Sequence, residues 1–184
     1  MSQKMKPQLV PCGDKFIPAS LEDVLEIESI LGAKLPDDYR EFVLKYGRSY
    51  FSPLAAVQPI EKPPFELWGS DDKNYLPFAA FFGGEQNGMS LLDNVRTSPF
   101  KDFFPRYMLS IADDLSLNQY LLAVDGEHKN KVFFWFYEGF IEPDYYISVD
   151  KEIPPDWQYQ NLFLAADSFS DLLNQFIVDP ELTD

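Results

Sequence analysis

Apolar residues recur with a helical period at both ends of the chain and lose it in between. Leu21, Val24, Leu25, Ile27 and Leu31 hold a mostly apolar face after Ser20, which with Asp23 has the spacing of a capping box, and Gly32 is placed to end that helix. Pro36 then stands at a helical first position, Asp37 and Asp38 fall in the electropositive first turn, and Tyr39, Phe42, Val43 and Tyr46 recur at i, i+3, i+4 and i+7 up to Gly47. The short connection predicts a helical hairpin. Near the C-terminus, Ser168 and Asp171 again have capping-box spacing. Phe169, Leu172, Leu173, Phe176 and Ile177 form the stripe of a closing helix before Pro180.

From Tyr50 to Asn161, prolines, glycines and short apolar runs predict strands. The clearest pair is Tyr120 to Val124 and Val132 to Tyr137, joined by DGEHKNK, whose Asp125-Gly126 step suits a turn with positive φ. The run VFFWFY is apolar at both alternations, so it should be a central strand covered on both faces, with helices as the cover. Further expected strands are Leu54 to Val57, Met89 to Leu92, Met108 to Ile111 and Tyr145 to Val149. SPFKDFFPR, from Ser98 to Arg106, fits neither period and is expected to pin a loop to the core; FFGGEQNG reads as a bent turn between strands. No repeat or low-complexity linker divides the chain. The expectation is one α+β domain over residues 1–184, with 1–19 and 179–184 as terminal extensions and a mixed, mostly antiparallel sheet flanked by the N-terminal helical pair and the C-terminal helix.

Composition narrows the function. The 184 residues are 46% hydrophobic and 16% aromatic, enough for a substantial core. Thirty acids against 15 bases give a net charge of −15, the wrong sign for phosphate backbones or anionic lipid, so neither direct nucleic-acid binding nor membrane attachment is expected. The imbalance belongs to residues 54–184, with 22 acids and 8 bases. The N-terminus lacks a signal-peptide apolar run, and no stretch is long enough to span a bilayer; with a single Cys12, these point to the cytoplasm.

Candidate chemistry is sparse. His128 is the one histidine and lies in the polar DGEHKNK turn, where an exposed position is expected. With it and Cys12 as the whole soft-ligand inventory, no metal site, thiol catalysis or hydrolase triad can be nominated. FFGGEQNG has neither GxGxxG nor a Walker lysine. The acid pairs Asp37-Asp38, Asp71-Asp72 and Asp113-Asp114 suit helix starts and turns better than paired catalytic carboxylates. The expectation is no enzyme and no cofactor. The most informative stretch is EGFIEPDYYISVDKEIPPDW. Glu138, Glu142, Asp144, Asp150, Glu152 and Asp156 are set against Lys151 alone, with Phe140, Tyr145, Tyr146 and Trp157 interleaved. Acids hasten encounter with a basic partner and aromatics supply contact energy, so Glu138, Glu142, Asp144, Tyr145, Asp150, Glu152, Asp156 and Trp157 are the candidate partner-binding residues. The same pattern is also what core-facing aromatics alternating with solvated loop charge would give.

Three segments together resemble the SMI1/KNR4 (SUKH) superfamily. LEDVLEIESILGAKLPDDYREFVLKYG is similar to its I-E-x-x-L-G helix followed by L-P-x-D-Y-R-x-F. YMLSIADDLSLNQYLLAVDGEHKNKVFFWFYE is similar to its central strands, and LAADSFSDLLNQF to its closing helix. The family commonly has Asn-Gly where Tyr46-Gly47 stands here, and residues 48–106 match no part of the pattern. The resemblance implies a mixed sheet with flanking helices. It also implies a non-catalytic immunity protein that binds and neutralises a cognate polymorphic toxin of nuclease or deaminase type; the alternative is a regulatory or scaffold module that binds a cellular protein. Such toxins must hold phosphates, so a basic toxin domain is the expected partner.

Overall fold

The computed structural model describes residues 6–63, 75–85 and 90–178. Asp71, Asp72, Met89 and the segments 1–5 and 179–184 lie outside the described residues. The chain runs β1 (Gln8–Pro11), α1 (Leu21–Leu31), α2 (Asp37–Lys45), β2 (Ser49–Ser52), β3 (Ala55–Val57), β4 (Leu76–Pro77), β5 (Ala80–Phe81) and α3 (Leu91–Thr97). It continues through β6 (Met108–Asp113), β7 (Gln119–Ala123), β8 (Val132–Trp135), α4 (Pro143–Ser148), a 3-10 turn (Trp157–Tyr159), β9 (Leu162–Ala166), α5 (Phe169–Asn174) and β10 (Phe176–Val178). A seven-stranded sheet has the order β1-β2-β5-β6-β7-β8-β9, and a small sheet the order β10-β3-β4. Every strand pair among the described residues is antiparallel. The architecture is α+β, with the N-terminal helical pair and the closing helix where the periodicity put them.

The capping chemistry works as the sequence suggests. Ser20 and Asp23 exchange side-chain bonds with each other's backbone N–H, and Gly32 adopts φ +68° with its N–H on the Glu28 carbonyl. Asp38 has two duties: Oδ1 accepts from the Tyr39 N–H at 2.8 Å, and Oδ2 accepts from the N–H and Oγ of Ser170 at 2.9 Å, joining the start of α2 to that of α5. Phe169 packs edge-on against Tyr39 and Phe42, each 4.9 Å between ring centroids.

The strand β8 lies between β7 and β9 and is buried along its length, as its unbroken apolar run requires. The cover differs on its two faces. Val132 and Phe134 join the main core, which takes Val24, Ile27, Tyr39, Phe42, Leu91, Phe169 and Leu172 from the helices. Phe133 and Trp135 face the other way, into a second cluster with Leu121, Phe104 and the half-buried Phe100, Phe103 and Phe140. That face is therefore roofed by the SPFKDFFPR loop and the segment after β8, not by helices; three phenylalanines cover a sheet face without needing a periodic element.

Five expectations are corrected. Leu91 and Leu92, expected in a strand, start α3, because Ser90 and Asp93 form a capping box in which Ser90 Oγ accepts from the Asp93 N–H at 2.9 Å. The Gly83-Gly84 step accordingly leads from a strand into a helix. Tyr145 to Val149, also expected as a strand, is the helix α4 and its C-cap; Pro143 at the first position and Asp144 in the first turn outweigh the β-propensity of the Tyr-Tyr-Ile run. Finally, Phe176 and Ile177 do not continue α5. The helix ends at Asn174, and Phe176 to Val178 become β10 paired with β3. His128 is half-buried rather than exposed, its ring 5.3 Å from that of Phe133 and 6.2 Å from that of Tyr159.

Candidate functional site

The acidic segment begins where β8 leaves the sheet and ends where β9 re-enters it. Its aromatics divide by role. Phe140 packs edge-on against Trp135, 5.2 Å between ring centroids, and Trp157 lies 5.9 Å from Phe140 and 6.4 Å from Phe103, so these two rings hold the segment down on the second core cluster. Gln158 adds a clamp, Nε2 donating to the carbonyls of Asp102 at 3.1 Å and Phe104 at 2.9 Å. Between these anchors α4 lies at the surface: none of its residues is fully buried, and only Pro143 and Tyr146 are half-buried.

Of the sequence candidates, Glu138, Glu142, Asp144, Tyr145, Asp150, Glu152 and Asp156 are all exposed; Trp157 is half-buried and belongs to the support. Tyr145 is 53% exposed and Tyr146 turns half inward, which decides between the two alternation partners. Composition alone missed the aliphatic part of the surface. Ile147 is 65% exposed, and Ile141, Val149, Ile153 and Tyr159 are also exposed. The legible signal is a six-residue helix carrying Tyr, Tyr and Ile with no second turn long enough to bury them.

A second feature lies at the same end of the sheet. The β6–β7 loop, residues 114–118, turns where β8 exits, because Gln119 is the register partner of Trp135. Asn118 Oδ1 accepts from the Tyr137 N–H at 2.9 Å. Asp114 organises the loop: Oδ1 accepts from the N–H of Ser116 at 2.7 Å and of Asn118 at 3.1 Å, and Oδ2 from Asn118 Nδ2 at 2.6 Å. Leu115 and Leu117 are held at φ +68° and +72°. Each such backbone costs on the order of 1–3 kcal/mol in a residue other than glycine.

The neighbouring Asp113 is partly buried, and its Oδ1 has no hydrogen-bond partner among the described residues. Burial pushes its carboxyl above the ordinary carboxylate range, opposed by Arg48 and reinforced by Asp114. A carboxyl with a raised pKa in the fold binds its proton more tightly there than in the unfolded chain, so stability falls as pH rises from the unfolded value through the raised one. Asp113→Asn is therefore expected to melt higher than wild type at about pH 7 and to match it near about pH 3, where both side chains are neutral. Thermal melts across that range check this; a variant less stable at neutral pH would show that the charge serves the fold through Arg48.

Other chemistry is thin. Among the described residues, no group of three or more His, Cys, Asp or Glu could hold a metal ion. Cys12 is exposed, and partial burial pushes its thiol up despite Arg48, the opposite of what an activated nucleophile needs. A cleft of about 360 Å³ between α1 and α3 has apolar walls from Ile30, Val95, Phe104 and Met108. Its Arg96 is paired with Glu26, and its Lys101 donates to the Arg96 carbonyl. No described helix is long and apolar enough to cross a membrane.

The chain is 26% identical over 189 residues to the SPbeta prophage-derived uncharacterized protein YokK of Bacillus subtilis (strain 168), covering 98% of this chain and 86% of that protein. The model of the SMI1 / KNR4 family (SUKH-1) matches residues 18–175, from just before α1 to just after α5. The chain belongs to the SMI1/KNR4 family.

Proposed function

We propose that this protein is a non-catalytic, cytoplasmic immunity protein that binds and neutralises a basic toxin domain of nuclease or deaminase type, with the segment from Glu138 to Asp156 as the contact face. One observation carries the reading: seven exposed candidates sit on a segment held at both ends by the half-buried rings of Phe140 and Trp157, while no residue of α4 between them is fully buried. Six acids against Lys151 steer a cationic partner, and Tyr145 and Ile147 supply apolar contact area. A toxin that grips phosphate presents the complementary charge, and occluding it requires neither cofactor nor catalytic group. Family membership and likeness to a prophage-derived protein support the reading.

The test is co-purification of the tagged protein from its native cells, identification of the partner by mass spectrometry, and co-expression of the two. A basic domain that arrests growth alone and is silenced by this protein is the expected outcome. A partner with no effect on growth points instead to a regulatory or scaffold module. With the partner in hand, Glu142→Lys, Asp144→Lys and Glu152→Lys together are expected to slow association about tenfold or more and flatten its salt dependence. The thermal midpoint should stay put, since exposed charges contribute little to stability. Wild-type kinetics in the triple variant would move the footprint to residues 48–106.

A further inference from the structure

Leu115 is 80% exposed and Leu117 53% exposed, both at the tip of the β6–β7 loop and both in the left-handed backbone region. A branched side chain is crowded there, which is why ordinary turns place Gly, Asn or Asp at such positions. The two leucine side chains do not make the loop's shape. Asp114 imposes it through its three hydrogen bonds, and Asn118 ties it to Tyr137. The result is a braced pedestal that holds two large apolar side chains in water. Strain at a position over-determined by its surroundings is the observation from which a functional role can be inferred.

Position says what covers the tip. Asn118 in the loop accepts from the N–H of Tyr137, the residue just before the segment from Glu138 to Asp156, so loop and segment leave the same end of the sheet, and that segment carries six acids against a single lysine. We propose that Leu115 and Leu117 are a preorganised apolar anchor that enters a hydrophobic pocket of a basic protein, with the acids beside them forming the charged rim of the same interface. This rests on the basic partner proposed above. Bracing matters energetically because a side chain already held in its bound position loses little freedom on docking. Charge decides the occupant: a neutral or acidic protein would meet the leucines but gain nothing from, or be repelled by, the surface around them.

The test selects a phage-displayed library of random peptides against the wild-type protein. The enriched peptides are then synthesised and measured against wild type, Leu115→Asn/Leu117→Asn and the single variant Leu115→Asn. Asparagine tolerates the left-handed region, so both variants are expected to melt at or above the wild-type midpoint. The expected peptides combine Lys or Arg with aromatic or aliphatic residues and bind the double variant about tenfold more weakly or worse, through faster dissociation. Basic peptides that bind wild type and both variants equally would overturn the anchor while leaving the basic partner standing. Enriched peptides without basic residues that still depend on the leucines would overturn the basic partner and leave the anchor. Failure to enrich any peptide would overturn the anchor, since a preformed apolar tip should capture one.

Discussion

Phe176→Ala is expected to remove about 3–5 kcal/mol of stability and to lower the thermal midpoint by roughly 6–20 °C. Phe176 is only 7% exposed, and its ring lies 4.2 Å from Phe51, 4.6 Å from Phe78 and 6.0 Å from Phe81. Phe51 and Phe81 belong to the seven-stranded sheet, whereas Phe176 sits on the small one. The same ring therefore fills the seam between the two sheets, which is also bridged by Tyr120 Oη donating to the Pro77 carbonyl at 2.7 Å. Truncation leaves a cavity bounded by the buried rings of Phe51, Phe78 and Phe81, which can collapse little, so the upper half of that range applies. Leu172→Ala, fully buried one turn earlier in α5, should cost about 2–5 kcal/mol. Calorimetry of both variants reads these values. A midpoint within a degree or two of wild type for Phe176→Ala would mean that the small sheet does not depend on that seam.

Gly47→Ala should be about as severe for a different reason. A Cβ at Gly47 would lie 1.6 Å from the carbonyl oxygen of Ile17 and 2.2 Å from its carbonyl carbon. Gly83 also approaches the backbone of Gly47 and Arg48, a Cβ there meeting Gly47 C at 2.3 Å, and one on Gly84 would meet the Pro18 carbonyl oxygen at 2.3 Å. These glycines let three backbone segments touch where the chain leaves α2, where it leaves β5 and where it approaches α1. The obstacles are backbone atoms, so no side chain can rotate away. The cost should reach or exceed about 3 kcal/mol, the upper end for overpacking. Gly32→Ala is the control: its position is open to at least 4 Å, so left-handed strain alone should cost about 1–2 kcal/mol. Denaturant titrations of the two variants should therefore separate clearly. Equal midpoints would show that the segment from Ile17 to Pro18 yields without cost.

What the sequence by itself determined is what neighbouring residues decide among themselves. Ser20 with Asp23, Gly32, and Pro36 with two following aspartates specify helix ends through bonds and φ preferences a few residues long, so α1 and α2 were legible to within a residue or so. The uninterrupted VFFW run required a strand covered on both sides, because no alternation leaves a face for water. The acidic excess between Glu138 and Asp156 was likewise plain, and in solution those acids have nowhere to go but outward. Where local signals competed, only the tertiary structure decided. Phe176 and Ile177 continue a helical stripe by spacing, yet β3 offers a ladder and Phe51 and Phe78 offer a pocket, and strand pairing took them. Gly47 looks like a helix stop, but its constraint is the Ile17 backbone, thirty residues away. Tyr145 and Tyr146 are adjacent and chemically alike; their fates diverged only when Phe140 and Trp157 seated the segment and left one ring facing water. Leu115 and Leu117 carry no periodic or compositional signal at all. Their exposure and left-handed backbone come from the bonds Asp114 and Asn118 make once β6, β7 and β8 are aligned, and register between strands is a long-range property that no short window of sequence contains.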